Sequence, residues 1–118
     1  MNTSELTGAA LDWAVAKCEG ATDEWRSDGP FWWHGNPCIR IGGHDVNYRP
    51  SSNWMKGGPI VERERINLWN EGYDWEASLF GEHIVWGSTP LIAAMRCYVA
   101  SKLGDDIEIP TELLGEQA

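Results

Sequence analysis

Apolar residues recur at helical spacing near both ends of the chain, and at short alternating intervals between them. Thr7, Leu11, Ala14, Val15 and Cys18 fall at i, i+4, i+7, i+8 and i+11, which is one face of a helix. Thr3 or Ser4 stands where an N-cap belongs, Glu5 lies in the first turn and Gly20 follows the last one, so a helix is predicted over residues 4–18. Near the other end Leu91, Ile92, Met95, Tyr98, Val99 and Leu103 form an apolar stripe. Ser88-Thr89-Pro90 sets a capping hydroxyl before a proline at N1, Lys102 suits the last turn and Gly104 ends it. These signals predict a second helix over 89–103.

Between the helices, turn residues come at short intervals: Gly29-Pro30, Gly35-Asn36-Pro37, Gly42-Gly43 and Pro50-Ser51-Ser52. They bound strand candidates at Phe31–His34, Cys38–Ile41 and Val46–Arg49. Gly57-Gly58 reads as a further turn. After it Ile60–Trp69 reads as the longest strand, with Glu62 and Glu64 on one face and Arg63 and Arg65 on the other. Trp75–Phe80, His83–Trp86 and Ile107–Pro110 complete the predicted strands, and Thr111–Leu114 reads as a terminal turn. The expected architecture is a single α+β domain spanning residues 1–118, with two helices (4–18 and 89–103) packed on a short-stranded, mainly antiparallel sheet.

Charge narrows the range of functions. Nine Lys+Arg against 18 Asp+Glu give a formal net charge of −9. Such a balance argues against general nucleic-acid binding, which needs cations to neutralise phosphates, and against an anionic membrane surface. No apolar run approaches the ~20 residues of a membrane span, and the first residues lack the basic and apolar regions of a secretory signal, so a cytoplasmic protein is expected. Three dispersed cysteines, Cys18, Cys38 and Cys97, read as reduced thiols. Tryptophan is the unusual component: eight in 118 residues, more indole N–H groups than a small core readily satisfies, so some rings are expected at a half-exposed surface.

Three strings carry a family resemblance. They are Tyr48-Arg49-Pro50-Ser51-Ser52-Asn53-Trp54, Gly57-Gly58-Pro59-Ile60-Val61-Glu62-Arg63, and the run from Trp86-Gly87-Ser88-Thr89-Pro90 to Met95-Arg96-Cys97. Together with Thr3–Gly8 and Leu11–Ala16 they resemble the NinX family of small tailed-phage and prophage proteins, over residues 3–18, 48–66 and 86–114. The resemblance implies a phage accessory protein acting inside an infected bacterium. It brings no catalytic residues with it.

The chemistry must therefore come from the residues. Gly87-Ser88-Thr89-Pro90 opens a helix whose first N–H groups favour an anion, Gly57-Gly58 lets backbone approach a ligand, and Arg49, Arg63 and Arg65 supply forked donors. Trp54, Trp69, Trp75 and Trp86 offer stacking faces. The candidate ligand-binding set is Tyr48, Ser52, Trp54, Gly57, Gly58, Arg63, Trp86, Ser88 and Thr89. His34, Cys38 and His44 have ligand types that suit zinc, but no paired C-x2-C accompanies them and ordinary loop histidines are the plainer reading. Glu62 with Glu64, or His83 with Asp74 or Glu76, are candidate acid–base groups; no nucleophile elbow or cofactor fingerprint surrounds Ser78, Ser88 or Cys97.

The leading expectation is a non-catalytic binder, in the host bacterial cytoplasm, that sequesters a nucleotide-derived immune signalling molecule. The alternative is an acidic inhibitor or regulator that engages a basic host protein through exposed indoles. A small hydrolase is third. A homodimer or higher homo-oligomer is expected from the number of half-buried aromatics.

Overall fold

The computed structural model describes residues 1–70 and 72–114. A short 3-10 helix, Thr3–Glu5, leads into α1, Gly8–Cys18. The predicted helix over 4–18 is thus two pieces, broken at Leu6-Thr7 by extended backbone. Next come β1 (Phe31–Trp33), β2 (Asn36–Ile41) and β3 (His44–Asn47), an antiparallel sheet in sequence order. After α2 (Trp54–Glu64), β4 (Asn67–Asn70), β5 (Trp75–Leu79) and β6 (Glu82–Gly87) form a second antiparallel sheet, again in sequence order. The chain closes with α3 (Pro90–Leu103) and the single turn α4 (Thr111–Leu114).

Three hairpins share one device. His34-Gly35, Gly42-Gly43 and Phe80-Gly81 each link strands by two residues with positive φ, as turns matching strand twist require. His34 is therefore a turn residue at φ 49°. Among the described residues no three of His, Cys, Asp and Glu gather as a metal site, so His34, Cys38 and His44 are not brought together as ligands.

The predicted strand Ile60–Trp69 and turn Gly57-Gly58 are not what forms: residues 54–64 are helix, and only Asn67–Asn70 is strand. Local sequence opposes that helix, since two glycines and Pro59 lie inside it. Tertiary contacts overrule it. Asn53 caps the start, its Oδ1 accepting the Met55 N–H at 3.0 Å, while Gly57 and Ile60 bury one turn apart. The alternating signs of Glu62 to Arg65 imitate a strand but lie on the helix's last turn and cap. Ile107–Pro110 also forms no strand; the residue before it, Asp106, makes an isolated bridge to Asn2, and the Ile107 N–H donates to the Met1 carbonyl at 3.0 Å.

α3 is the centre of the molecule. It is buried on almost every side, through Leu91, Ala93, Ala94, Met95, Cys97, Tyr98 and Val99, and packs on β5 and β6, on α1 and on α2. Leu6, Leu11, Val15, Ile39, Tyr48, Ile60, Ala77, Leu79 and Val85 complete a contiguous core around it. The small residues Ala93, Ala94 and Ala100 let neighbours approach closely. Gly87 does the same from the other side, since a Cβ there would lie 2.6 Å from the Ala93 nitrogen.

A cleft over the 49–53 turn

The turn from Arg49 to Asn53 is held from three directions. Its own backbone closes through Ser52 N–H and Asn53 N–H to the Arg49 carbonyl, at 3.1 and 2.9 Å. Asp12, buried on α1, accepts the Ser51 N–H at 2.9 Å across 39 residues of sequence. From below, Gly57 of α2 presses against the Pro50 carbonyl. The result is a cleft of about 510 Å³ walled by α1, the ends of β2 and β3, the turn itself, Ile92 of α3 and Leu113 of α4. That is the size range of small-molecule sites.

The polar lining is specific in type. Asn36 and Asn47 bring carboxamides from the strand ends, Ser52 brings an exposed hydroxyl, and Arg49 stands exposed with no ion pair or hydrogen bond of its guanidinium among the described residues. Ile92, Leu113, Ala9 and Pro37 supply the apolar part. Amides and hydroxyls donate and accept, a guanidinium matches an anion, and the whole arrangement can hold a polar, negatively charged molecule.

Of the residues singled out from sequence, Tyr48 and Ser52 line this cleft, and Arg49 was one of the three forked donors considered. Gly57 supports it from behind. The others lie elsewhere. Trp54 and Gly58 sit on α2, and a Cβ at Gly58 would only touch the Trp54 ring at 3.5 Å. Arg63, at the far end of α2, already spends its fork: Nη1 and Nη2 donate to the two Glu19 oxygens at 3.0 and 2.8 Å, and Nε donates to Glu64 at 2.8 Å. The Tyr98 hydroxyl accepts from Arg63 at 3.1 Å and donates to Glu19 at 2.5 Å. Burial acts to raise the Glu19 pKa, but the hydrogen bonds from Arg63 and Tyr98 hold it below the usual carboxylate range. This clasp ties α1, α2 and α3 together.

Trp86, Ser88 and Thr89 form the joint between β6 and α3. The Thr89 hydroxyl accepts the Ile92 N–H at 3.1 Å and so caps α3, while the Trp86 carbonyl accepts from Arg96 Nη1 at 2.7 Å. The Arg96 Nε donates to the Leu6 carbonyl at 2.7 Å, stitching the start of the chain to the same joint. Sequence reasoning missed Asp12, Asn36, Asn47, Ile92 and Leu113. Only a polar residue on an otherwise apolar helix face, Asp12 one position after Leu11, offered a signal.

The family described as Bacteriophage P22, NinX matches residues 2–102. The chain belongs to that family. The match runs continuously through the 21–45 and 71–82 segments, which the resemblance of isolated strings left uncovered, and it ends at α3. Every cleft residue of this NinX chain except Leu113 falls inside it. No curated protein matches the chain. Among the described residues no helix is long and apolar enough to cross a membrane.

Proposed function

We propose that this NinX protein is a non-catalytic binder that sequesters a nucleotide-derived immune signal in the cytoplasm of an infected bacterium, and that the cleft over the 49–53 turn is where the ligand sits. One observation carries the reading: a cleft of about 510 Å³ in a protein of net charge −9 presents a guanidinium, Arg49, beside Asn36, Asn47 and Ser52. The guanidinium suits a phosphate oxygen pair, and a carboxamide suits the donor–acceptor edge of a base. Binding rather than turnover fits these groups, because amides, hydroxyls and a guanidinium hold a ligand without exchanging protons near neutral pH. The lining carboxylate, Asp12, accepts a backbone N–H and shapes the turn.

The test is a thermal-shift and calorimetric panel of cyclic di- and trinucleotides, ADP-ribose forms and NAD. A true ligand binds only the folded chain and so raises its melting temperature by mass action. Arg49→Ala should weaken that ligand roughly 10- to 150-fold, the loss of about 1.5–3 kcal/mol for a charge-assisted fork. Arg49→Lys should recover only part of it. Arg63→Ala should lower the melting temperature of the free chain and leave the affinity within about twofold, because its fork belongs to Glu19. A panel without any thermal shift, or an Arg49→Ala variant of unchanged affinity, overturns the reading.

A further inference from the structure

α1 walls a second hollow, further toward its C-terminal end than the cleft. Trp13 and Lys17 line it from the helix, Ala21 and Asp23 from the loop that follows, and Trp32 and Gly35 from the first hairpin, around about 350 Å³. Its walls meet those of the cleft at two places. Ala9 of the cleft and Trp13 of the hollow are four residues apart on α1 and so share a face. Trp32 of the hollow pairs directly with Pro37 of the cleft across β1 and β2. From Gly8 to Lys17 this common helical wall rises by roughly 14 Å.

The hollow suits a flat ring with charge beside it. Trp13 and Trp32 stack with ring centroids 5.8 Å apart and 29° between their planes, yet both remain half-buried rather than sealed in the core. The Trp32 backbone N–H donates to the Thr22 carbonyl at 2.8 Å, which ties β1 to the loop that carries Asp23. The Lys17 ammonium lies 5.3 Å from the centre of the Trp13 ring. Neither it nor the exposed Asp23 carboxylate makes an ion pair among the described residues. A ring system gains from lying on indole, a phosphate gains from Lys17, and the N–H groups of a purine edge can donate to Asp23. A purely apolar occupant would leave both charges unused, and a bare anion would meet Asp23. The volume stands near the lower end of small-molecule sites, which is room for one nucleotide's ring system and not for two.

Resting on the reading of the cleft as a nucleotide site, we infer that its ligand is a dinucleotide that bridges both hollows, with one nucleotide at Arg49 and the purine of the other against the Trp13–Trp32 pair beside Lys17. Calorimetry on the full chain compares AMP and GMP with the linear and cyclic dinucleotides of adenine and guanine. At least one dinucleotide should bind roughly 5- to 150-fold more tightly than either mononucleotide, the gain from one stacked base, and should change tryptophan emission. Trp32→Leu keeps apolar bulk, removes the indole and should bring that dinucleotide down to the mononucleotide level. Lys17→Gln should weaken it roughly 5-fold or more. Arg65→Gln, which removes the same charge at a residue lining neither hollow, should change it less than twofold.

Trp32 also packs against the core, so its replacement can disturb the fold; Lys17 is exposed, and Lys17→Gln should leave the melting temperature of the free chain unchanged. A mononucleotide bound through Arg49 should keep its affinity within about twofold in both variants. If no dinucleotide binds more tightly than a mononucleotide that needs Arg49, the bridge is overturned and the cleft reading stands. If binding survives Arg49→Ala and is lost in Lys17→Gln, the cleft reading falls and the hollow belongs to a separate ligand. Dinucleotide affinity unchanged by Lys17→Gln, or equal losses of mono- and dinucleotide in Trp32→Leu, also overturns the bridge. So does the absence of binding by every one of these probes, and the wider panel then decides the cleft.

Discussion

Adding one methyl group at two adjacent glycines should have opposite effects on this protein. At Gly57 a Cβ would lie 2.3 Å from the Pro50 oxygen and 2.7 Å from Leu91 Cδ2. Ordinary contact needs roughly 1 Å more, and neither a carbonyl nor the helix behind it can yield that without moving α2 off the 49–53 turn. Overpacking of this kind costs about 1–3 kcal/mol, offset by up to about 1 kcal/mol from alanine's better helix propensity. The net loss for Gly57→Ala is about 1–2 kcal/mol, a fall in melting temperature of roughly 4–8 °C for a chain of this size. Because the same shift disturbs Arg49, Ser51 and Ser52, cleft ligand affinity should fall with it. At Gly58 the nearest atom is Trp54 Cε3 at 3.5 Å, an ordinary contact. Gly58→Ala should therefore gain about 0.5–1 kcal/mol and melt roughly 2–4 °C higher. Thermal melts and urea titrations of both variants decide the matter. If Gly57→Ala is as stable as Gly58→Ala, α2 does not pack on Pro50. If Gly58→Ala destabilises, residues 57–58 are a turn and the helix is wrong.

Two further outcomes follow from the titrating groups. Glu19 has a folded pKa below its ordinary value, which in an unfolded chain is about 4.3, so its contribution to stability is present above that value and is lost as pH falls through the folded one. Glu19→Gln should lower stability at pH 7 and flatten the acid limb of a melting-temperature profile; an acid limb identical to the parent's would refute the clasp. Burial, with Glu19 adding to it, pushes the Cys18 thiol up to about 12, and burial pushes Cys97 up to about 11. Thiolate is the reactive form, so iodoacetamide at pH 8 should modify neither residue in the native chain and both after unfolding, as read by mass spectrometry; rapid native labelling of either would refute the packing around α1 and α3.

What the sequence determined by itself was local. The helix over Pro90–Leu103 was legible because its cap, its N1 proline and its terminal Gly104 act within one turn of the backbone they stop. The first two hairpins were legible through Gly35 and Gly42-Gly43, which supply positive φ where the chain reverses. Half-exposed indoles were expected and are found at Trp25, Trp33, Trp54, Trp69 and Trp86. The long strings around Tyr48, Gly57 and Trp86 were enough to place the family, as the match over residues 2–102 bears out.

Only the tertiary structure decided α2 and the cleft. Helix 54–64 runs against its own Gly57-Gly58-Pro59, and what stabilises it lies at Pro50, Leu91 and Glu19, none of them near enough in sequence to leave a periodic trace. Arg63 read as a phosphate donor until the fold set Glu19, 44 residues away, against its fork. Tyr48 and Ser52 were legible as site residues, but the carboxamides, Asp12 and the apolar floor arrive from five other elements. Caps and turns act through bonds a few residues long, whereas a cleft is a coincidence in space of residues the chain keeps far apart, and packing alone brings them together.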